Sequence, residues 1–501
     1  MTAVALRALL SLADVLAATG GTLAVRRAHP AAGPPEAGFA SVSIDSRTLE
    51  PGALFVAVKG QRLDGHDFLA EARARGARAA LVHREVPAPA GLTLVRVKDT
   101  TRGLSDLARH VRRAADLPVV GVTGSVGKTT TKDMTAHLLA VRGGEVLKTE
   151  GNLNNQYGLP LTLLRLRPEH TAAVLEMGMS APGEIRALAA LAEPDVATIT
   201  RVAPVHLEFF PSVDAIADAK AEILEGLRPG GAAVLNGDDP RLRAVAERFR
   251  GRVVWFGRDR RFDVSAEDER TDALPNRGPS QGPSRERTRS TRASLGSGLG
   301  TRFTLRVAGL AVDVALPLTG PHFVSNFLAA AAAAHALGVT PMAMAEAASS
   351  LLPARHRGEV VRLGEGVTLL DDCYNSSPEA LESAVVALCL VPGRRRVAIL
   401  GDMLELGPSG EALHRAAGRS LAGRVDAVLG VGALAAAIVE GAREAGMAEG
   451  AVHHVPAAAD AVAALPAFVE PGDAVLVKAS RGMRLETVVD ALAARFPGAE
   501  A

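Results

Sequence analysis

A chain of 501 residues has room for about two to four domains, each able to bury a core of its own. Its 56 basic and 55 acidic side chains nearly cancel, which argues against a protein that coats nucleic acid or lies on a membrane surface. Cys373 and Cys389, the only cysteines, have no metal-ligand spacing, so neither a disulfide framework nor a zinc site is expected; both are expected as buried thiols in a reducing cytosol.

In chain order, the apolar stretch Leu6–Leu16 is broken by Arg7 and Asp14, and Gly20-Gly21 reads as a helix stop rather than a cleavage site. No apolar run is long enough to span a bilayer, and a soluble cytoplasmic protein is expected. Residues 1–98 read as a small α/β domain, with strands at Val42–Ile44 and Ala53–Val58 and a helix at Asp67–Arg75. Its loops Asp45-Ser46-Arg47 and Lys59–His66, which include Asp64, are rich in donors; they suit a polar anionic ligand, or are ordinary solvated turns.

Residues 99–353 read as a nucleotide domain. Strands at Ala172–Leu175, Val196–Ile199 and Gly231–Leu235 alternate with helices at Ala181–Leu191 and Ser212–Leu227, which predicts a mostly parallel sheet covered on both faces. Residues 267–300, crowded with Arg, Ser, Pro, Gly and Thr, lack the apolar side chains to fold and are expected as a disordered insertion between two strands. Strands resume at Phe303–Val307 and Val312–Leu316, followed by the alanine-rich helix Asn326–Leu337. Residues 354–501 alternate again, with strands at Val367–Leu370, Arg396–Leu400, Ala427–Gly430 and Ala474–Val477, and predict a second Rossmann-like unit without a phosphate loop.

The chemistry centres on Gly124-Ser125-Val126-Gly127-Lys128-Thr129-Thr130, between the apolar strand Leu117–Val122 and a helix at Thr131–Leu139. Strand, glycine turn, Lys-Thr and helix is the context of a phosphate-binding loop. The glycines let successive N–H groups face phosphate oxygens, and the helix start adds the positive end of its dipole. Lys128 can then reach the β- and γ-phosphates of a nucleoside triphosphate, and the Thr129 hydroxyl can ligate Mg²⁺. The spacing is short, with Thr123 near where a longer pattern begins with glycine.

Three downstream residues bear on this site. Glu176, at the end of an apolar strand, can face a metal beside the phosphates. His206, in Pro204-Val205-His206-Leu207-Glu208, is a ligand, a proton-transfer group or a structural loop histidine. Lys220 is flanked by alanines in a helix, which is odd for a surface lysine, and composition assigns it no role.

On these motifs the chain resembles the Mur ligase family of bacterial cell-wall synthesis. The resemblance covers nearly the whole chain apart from 267–300. It rests on Asp45-Ser46-Arg47, the phosphate loop, Gly151–Pro160, Leu175-Glu176-Met177-Gly178, His206-Leu207-Glu208, Ala219–Ile223 and Asn236–Asp239. In the C-terminal block it rests on Asp372–Pro378, Gly401–Gly407 and Lys478–Met483. It implies three domains and a two-step reaction. ATP phosphorylates a substrate carboxylate, and an amine displaces phosphate from the acyl phosphate. The form of Gly401–Gly407 is that of the member joining D-alanyl-D-alanine to a UDP-N-acetylmuramoyl-tripeptide.

The sibling that adds a diamino acid carries an Asp-Asn-Pro-Arg signature that is absent here. Folylpolyglutamate synthetase lacks the N-terminal uridine domain, and a switch GTPase would need an Asn-Lys-x-Asp motif. The third residue of the tripeptide is left open. A monomer with no nucleic-acid or membrane partner is expected.

By resemblance, Thr129 and Glu176 hold one Mg²⁺, and Glu176, His206 and a carbamylated Lys220 hold a second. The phosphate loop with Asn326, Arg357 and Asp372 binds nucleotide. Ser46, Arg47, Asp64, His66, Asn154, Asn155, Asn375, Ser480 and Arg481 face substrate. Lys128, Glu176, His206 and Lys220 carry the catalysis. Two positions depart from the family pattern: Arg201 where Asn is usual and Phe323 where Asn follows His322.

Overall fold

The computed structural model describes residues 10–25, 38–205, 207–274 and 299–498. Its strands form three sheets, as the expected three-unit α/β architecture requires. The first holds β1 (Thr22–Val25), β2 (Val42–Ser43), β3 (Leu54–Val56), β4 (Ala79–Val82) and β5 (Thr93–Arg96) in the order β1-β5-β4-β3-β2. All neighbours are parallel except β1 and β5. The preceding helix Leu12–Thr19 starts on a Ser11–Asp14 capping box and stops at Gly20, whose φ of +60° is the left-handed C-cap expected of glycine. The expected Asp67–Arg75 helix is a 3₁₀ turn at Gly65–Phe68 leading into a short helix, Leu69–Ala74.

Leu54, Val56, Leu81 and Val95 share one continuous apolar cluster with Leu104, Leu107 and Val111 of the helix Thr100–Ala115. That cluster runs on into Leu159, Leu163, Ala173 and Leu175 of the central unit, so the long helix is a common core element. On the helix, buried Arg112 donates to the carbonyls of Ala192 (2.8 Å) and Glu193 (2.9 Å), closing the C-terminal end of the helix Glu184–Ala192.

The central sheet comprises β6 (Val119–Thr123), β7 (Glu145–Lys148), β8 (His170–Glu176), β9 (Val196–Ile199), β10 (Ala232–Asn236), β11 (Arg252–Gly257), β12 (Val264–Ala273), β13 (Leu299–Val307) and β14 (Leu310–Leu316). The order is β14-β13-β12-β11-β10-β9-β6-β8-β7, parallel from β7 to β12 and antiparallel beyond. One correction follows for the expected 267–300 insertion. Strand β12 pairs with β13 as far as Ala273↔Leu299, with an irregularity between Glu267 and Arg270, so 267–273 and 299–300 are strand. Their charges pair side to side, Glu267 with Arg306 at 2.7 Å and Asp272 with Arg302 at 3.1 Å, which is why a polar composition still forms strand. Residues 275–298 of that expected insertion lie outside the described residues.

The third sheet holds β15 (Glu359–Arg362), β16 (Thr368–Asp371), β17 (Arg396–Gly401), β18 (Ala427–Val431), β19 (Val452–Val455) and β20 (Ala474–Lys478), ordered β15-β16-β20-β17-β18-β19. Only β15 runs antiparallel, and apolar clusters cover both faces, as a Rossmann-like unit requires. Cys373 is buried, whereas Cys389, expected buried, is half-exposed with its Sγ toward the Arg424 carbonyl. No helix among the described residues is long and apolar enough to cross a membrane.

Candidate functional site

Strand β6 lies between β8 and β9, so the loop leaving it is flanked by Glu176 at the end of β8 and Thr200 just past β9. Gly124 (φ +150°) and Gly127 (φ +85°) are both required. A Cβ at the first would sit 1.9 Å from Thr200 Oγ1, and at the second 2.3 Å from Asn326 Oδ1. The Ser125 N–H donates to the Arg201 carbonyl (2.7 Å) and the Thr200 hydroxyl to the Val126 carbonyl (2.6 Å), pinning the loop to the exit of β9. Thr123 closes β6 with its hydroxyl on the Met177 carbonyl at 2.9 Å. Gly127 offers the helix Lys128–Ala140 no side-chain cap, which leaves its first-turn N–H groups for an anion.

Lys128 folds back over the loop, its Nζ donating to the carbonyls of Gly124 (2.8 Å) and Ser125 (3.2 Å). Burial pulls its pKa down, Glu176 opposes that, and Arg357 adds to it. The Thr129 hydroxyl donates to Glu176 Oε2 and the Asn154 amide to Glu176 Oε1, both at 2.8 Å. These three side chains are therefore one hydrogen-bonded group of oxygen donors beside the phosphate loop.

Lys220 ends the helix Val213–Ala221 with 2% of its side chain exposed. No carboxylate or carbonyl among the described residues takes its ammonium. Burial drives its pKa well down and Lys128 adds to the effect, which favours the neutral amine. Two residues on, the Glu222 carboxylate accepts the Gly183 N–H at 2.8 Å and the Arg186 N–H at 3.1 Å, which fixes this segment against the helix Glu184–Ala192. His206 lies outside the described residues.

The loops after β16 and β20 form the facing wall. Buried Lys478 donates to the Asp372 carboxylate and, at 3.0 Å, to the Asn375 carbonyl. Ser480 accepts the Leu404 N–H at 2.9 Å. The Arg357 guanidinium lies 4.0 Å and that of Arg481 4.7 Å from the centre of the Tyr374 ring. Both walls enclose one cavity of about 930 Å³, lined among others by Lys128, Glu176, Lys220, Asn326, Asp372 and Arg481. Asn154, Asn155, Arg357, Asn375 and Ser480 line it as well.

The N-terminal candidates are placed apart from this cavity. The Ser46 hydroxyl donates to Glu71 at 2.9 Å, and Arg47 pairs with Asp45 at 2.8 Å while most of its side chain is exposed. Asp64 is hydrogen-bonded to His66 Nδ1 at 2.6 Å. Burial raises its pKa, but the bonds from His66 and Arg84 outweigh that and hold it at about 2.

The sequence assigned no role to Lys478 or His322, and named Arg201 and Phe323 only as departures from the family pattern. The signal for Lys478 is a charged residue ending the apolar strand β20, as Glu176 ends β8. His322 lines the cavity with its Nδ1 buried and unpartnered, and burial lowers its pKa to about 4. Arg201 reaches across to Glu379 at the start of the helix Pro378–Leu390 as an ion pair. Phe323, beside His322 at a ring separation of 4.2 Å, is buried where the family pattern has Asn.

Three family models match in order: the Mur ligase family catalytic domain over residues 39–112, the middle domain over 122–334 and the glutamate ligase domain over 356–481. The UDP-N-acetylmuramoyl-tripeptide–D-alanyl-D-alanine ligase of Escherichia coli K12 is 38% identical over 90% of this chain and 93% of its own length. The chain belongs to the Mur ligase family. Among solved structures, MurF of Acinetobacter baumannii superposes on this Mur ligase with a TM-score of 0.81, 30% identity and coverage of 96% and 98% of the two chains. The MurF ligase of Thermotoga maritima, crystallised in complex with ADP, gives 0.74 at 32% identity, covering 90% of this chain and 96% of its own.

Proposed function

We propose that this Mur ligase joins D-alanyl-D-alanine to a UDP-N-acetylmuramoyl-tripeptide, forming ADP and phosphate, in the cytoplasmic synthesis of peptidoglycan precursor. The similarity to the E. coli ligase over 90% of the chain carries the reading. The cavity supports it, because a phosphate loop and a cationic wall from the C-terminal sheet face the same space.

In the first step a tripeptide carboxylate oxygen attacks the γ-phosphorus of ATP, ADP leaves and an acyl phosphate forms. Two anions are brought together, so positive charge must be in place beforehand. Lys128 and the free N–H groups of its helix supply it on one side, Arg357 on the other. Asn326 sits at the glycine turn on the nucleotide side. The paired oxygens of Thr129 and Glu176 fit a hard cation, and these residues would hold one Mg²⁺. Glu176, His206 and Lys220 would hold a second, Lys220 as a carbamate formed when its neutral amine adds to CO₂. When bound, Mg²⁺ supplies charge neutralisation at the phosphate oxygens.

In the second step the dipeptide amine attacks the acyl carbon and inorganic phosphate leaves. Asp372, Asn375, Ser480 and Arg481 would orient that amine and the dipeptide carboxylate. Asn154 and Asn155 lie at the tripeptide end. We assign Ser46, Arg47, Asp64 and His66, in residues 1–98, to the uridine end, with residues 99–353 and 354–501 taking nucleotide and dipeptide.

Phosphate release measured with crossed substrates tests this. Turnover should require ATP, the UDP-muramoyl-tripeptide and D-alanyl-D-alanine together. Turnover with UDP-muramoyl-dipeptide and a diamino acid, and none with the expected pair, would reject the assignment.

A further inference from the structure

We infer that Tyr374 is a positioning residue for this reaction: its ring holds the guanidiniums of Arg357 and Arg481 in one unit, aligning the nucleotide and dipeptide sides of the cavity. The inference rests on the proposed ligase reading.

The three residues come from three separate segments. Arg357 follows the connection out of the central unit, Tyr374 lies in the loop after β16, and Arg481 in the turn after β20. Both guanidinium carbons nevertheless approach one ring, at 4.0 and 4.7 Å. Neither arginine has a carboxylate partner among the described residues, so each of these cations is met by the ring's negative face rather than by an opposite charge. Two like charges near one another repel, and a carboxylate between them would relieve that but would also neutralise the wall. The aromatic ring steadies both cations and leaves their charge available to an anionic ligand.

The direction of that charge is also visible. Arg357 lines the same cavity as Lys128 and the phosphate loop. Arg481 is exposed at the cavity wall next to Ser480, whose hydroxyl holds the Leu404 N–H. The Tyr374 backbone is itself fixed, its N–H donating to the His356 carbonyl at 3.1 Å, and His356 Nδ1 is bonded to Asp371 at 2.8 Å. His356 takes a left-handed φ of +62°, a conformation a histidine adopts only when its surroundings hold it there. The segment that presents Arg357 is thus tied by main chain to the residue whose ring receives it. Among the described residues the Tyr374 hydroxyl makes no hydrogen bond, so the ring is the working part.

The test compares Tyr374→Phe, which keeps the ring, with Tyr374→Leu, which removes it. Two readouts are taken: Mg-ADP binding by calorimetry, and kcat/KM for D-alanyl-D-alanine at saturating ATP and UDP-muramoyl-tripeptide. Tyr374→Phe is expected within about two-fold of the parent in both. Tyr374→Leu is expected to lose about ten-fold in kcat/KM and several-fold in ADP affinity, the scale of two stacked cations released.

Equal values for the leucine variant and the parent would overturn the inference, as would a phenylalanine variant that falls as far as leucine. If Tyr374→Leu fails to fold, Arg481→Lys, an exposed change that keeps the charge but loses the flat stack, decides instead. It should lose dipeptide kcat/KM to a similar degree, and full activity would overturn the inference. If the parent shows no turnover with these substrates while ADP binding still separates Phe from Leu, the stacking stands and the ligase reading falls.

Discussion

At the scale of single residues, Lys220 concentrates the most information. A lysine with 2% exposure and, among the described residues, no partner for its ammonium costs stability, because burial disfavours its charged form while the unfolded chain binds the proton. The sign follows: with a depressed pKa in the folded state, stability rises as pH rises toward the unfolded lysine value and falls as pH drops. Lys220→Met should therefore melt higher than the parent at neutral pH in CO₂-free buffer and show a flatter rise of melting temperature with pH. The same variant should lose nearly all ligase activity while retaining ADP binding through the phosphate loop. Thermal melts across pH, run beside calorimetry and phosphate release, check this. An active Lys220→Met enzyme would remove the carbamate from the mechanism.

At the scale of elements, the phosphate loop and the β12–β13 ribbon behave in opposite ways. The loop tolerates no side chain at Gly124 or Gly127, and the carbonyls of Gly124, Ser125 and Val126 are taken by Lys128 or by Thr200 just past β9. The ribbon is held by cross-strand charge pairs up to Ala273↔Leu299, so its two ends lie side by side wherever the intervening residues go. Replacing residues 275–298 by a short Gly/Ser turn should keep activity within a few-fold and leave the melting temperature nearly unchanged, since closure entropy varies slowly with loop length. A folded deletion variant that lost activity would show that those residues make a contact the enzyme uses.

At the scale of the whole molecule, the cavity exists only because the C-terminal sheet sits against the central one. Arg201 and Glu379 bridge them, and burial raises the Glu379 pKa while Arg201 opposes the rise. With more than half of the Arg201 side chain exposed, such a bridge contributes about 1 kcal/mol or less. Glu379→Gln should accordingly change the melting temperature little. In small-angle scattering of the free enzyme, it should shift the ensemble toward larger dimensions at low salt, with the difference vanishing at high salt. Identical scattering of parent and variant at low salt would show that the pair does not hold the two units together.

Much of this was legible without coordinates. The glycine turn between an apolar strand and a helix, the acidic residue ending β8, the alternation in the central and C-terminal units and the alanine-flanked lysine are local patterns. Local patterns survive in a one-dimensional string because backbone conformation and the period of burial are set by neighbours in the chain. Short edge strands such as β1 and β15 carry weak periodicity, and the polar ends of β12 and β13 become strand only by pairing with each other, so composition misplaced the limits of the insertion. What only the tertiary structure decided is which distant side chains meet: Thr129 with Glu176 and Asn154, Lys478 with Asp372, Arg357 and Arg481 on Tyr374, Arg201 on Glu379. Those meetings depend on the order of strands in two sheets and on how one sheet faces the other. Side-chain chemistry in a sequence states what each group can do, but only the packing of the sheets brings two such groups within hydrogen-bonding reach.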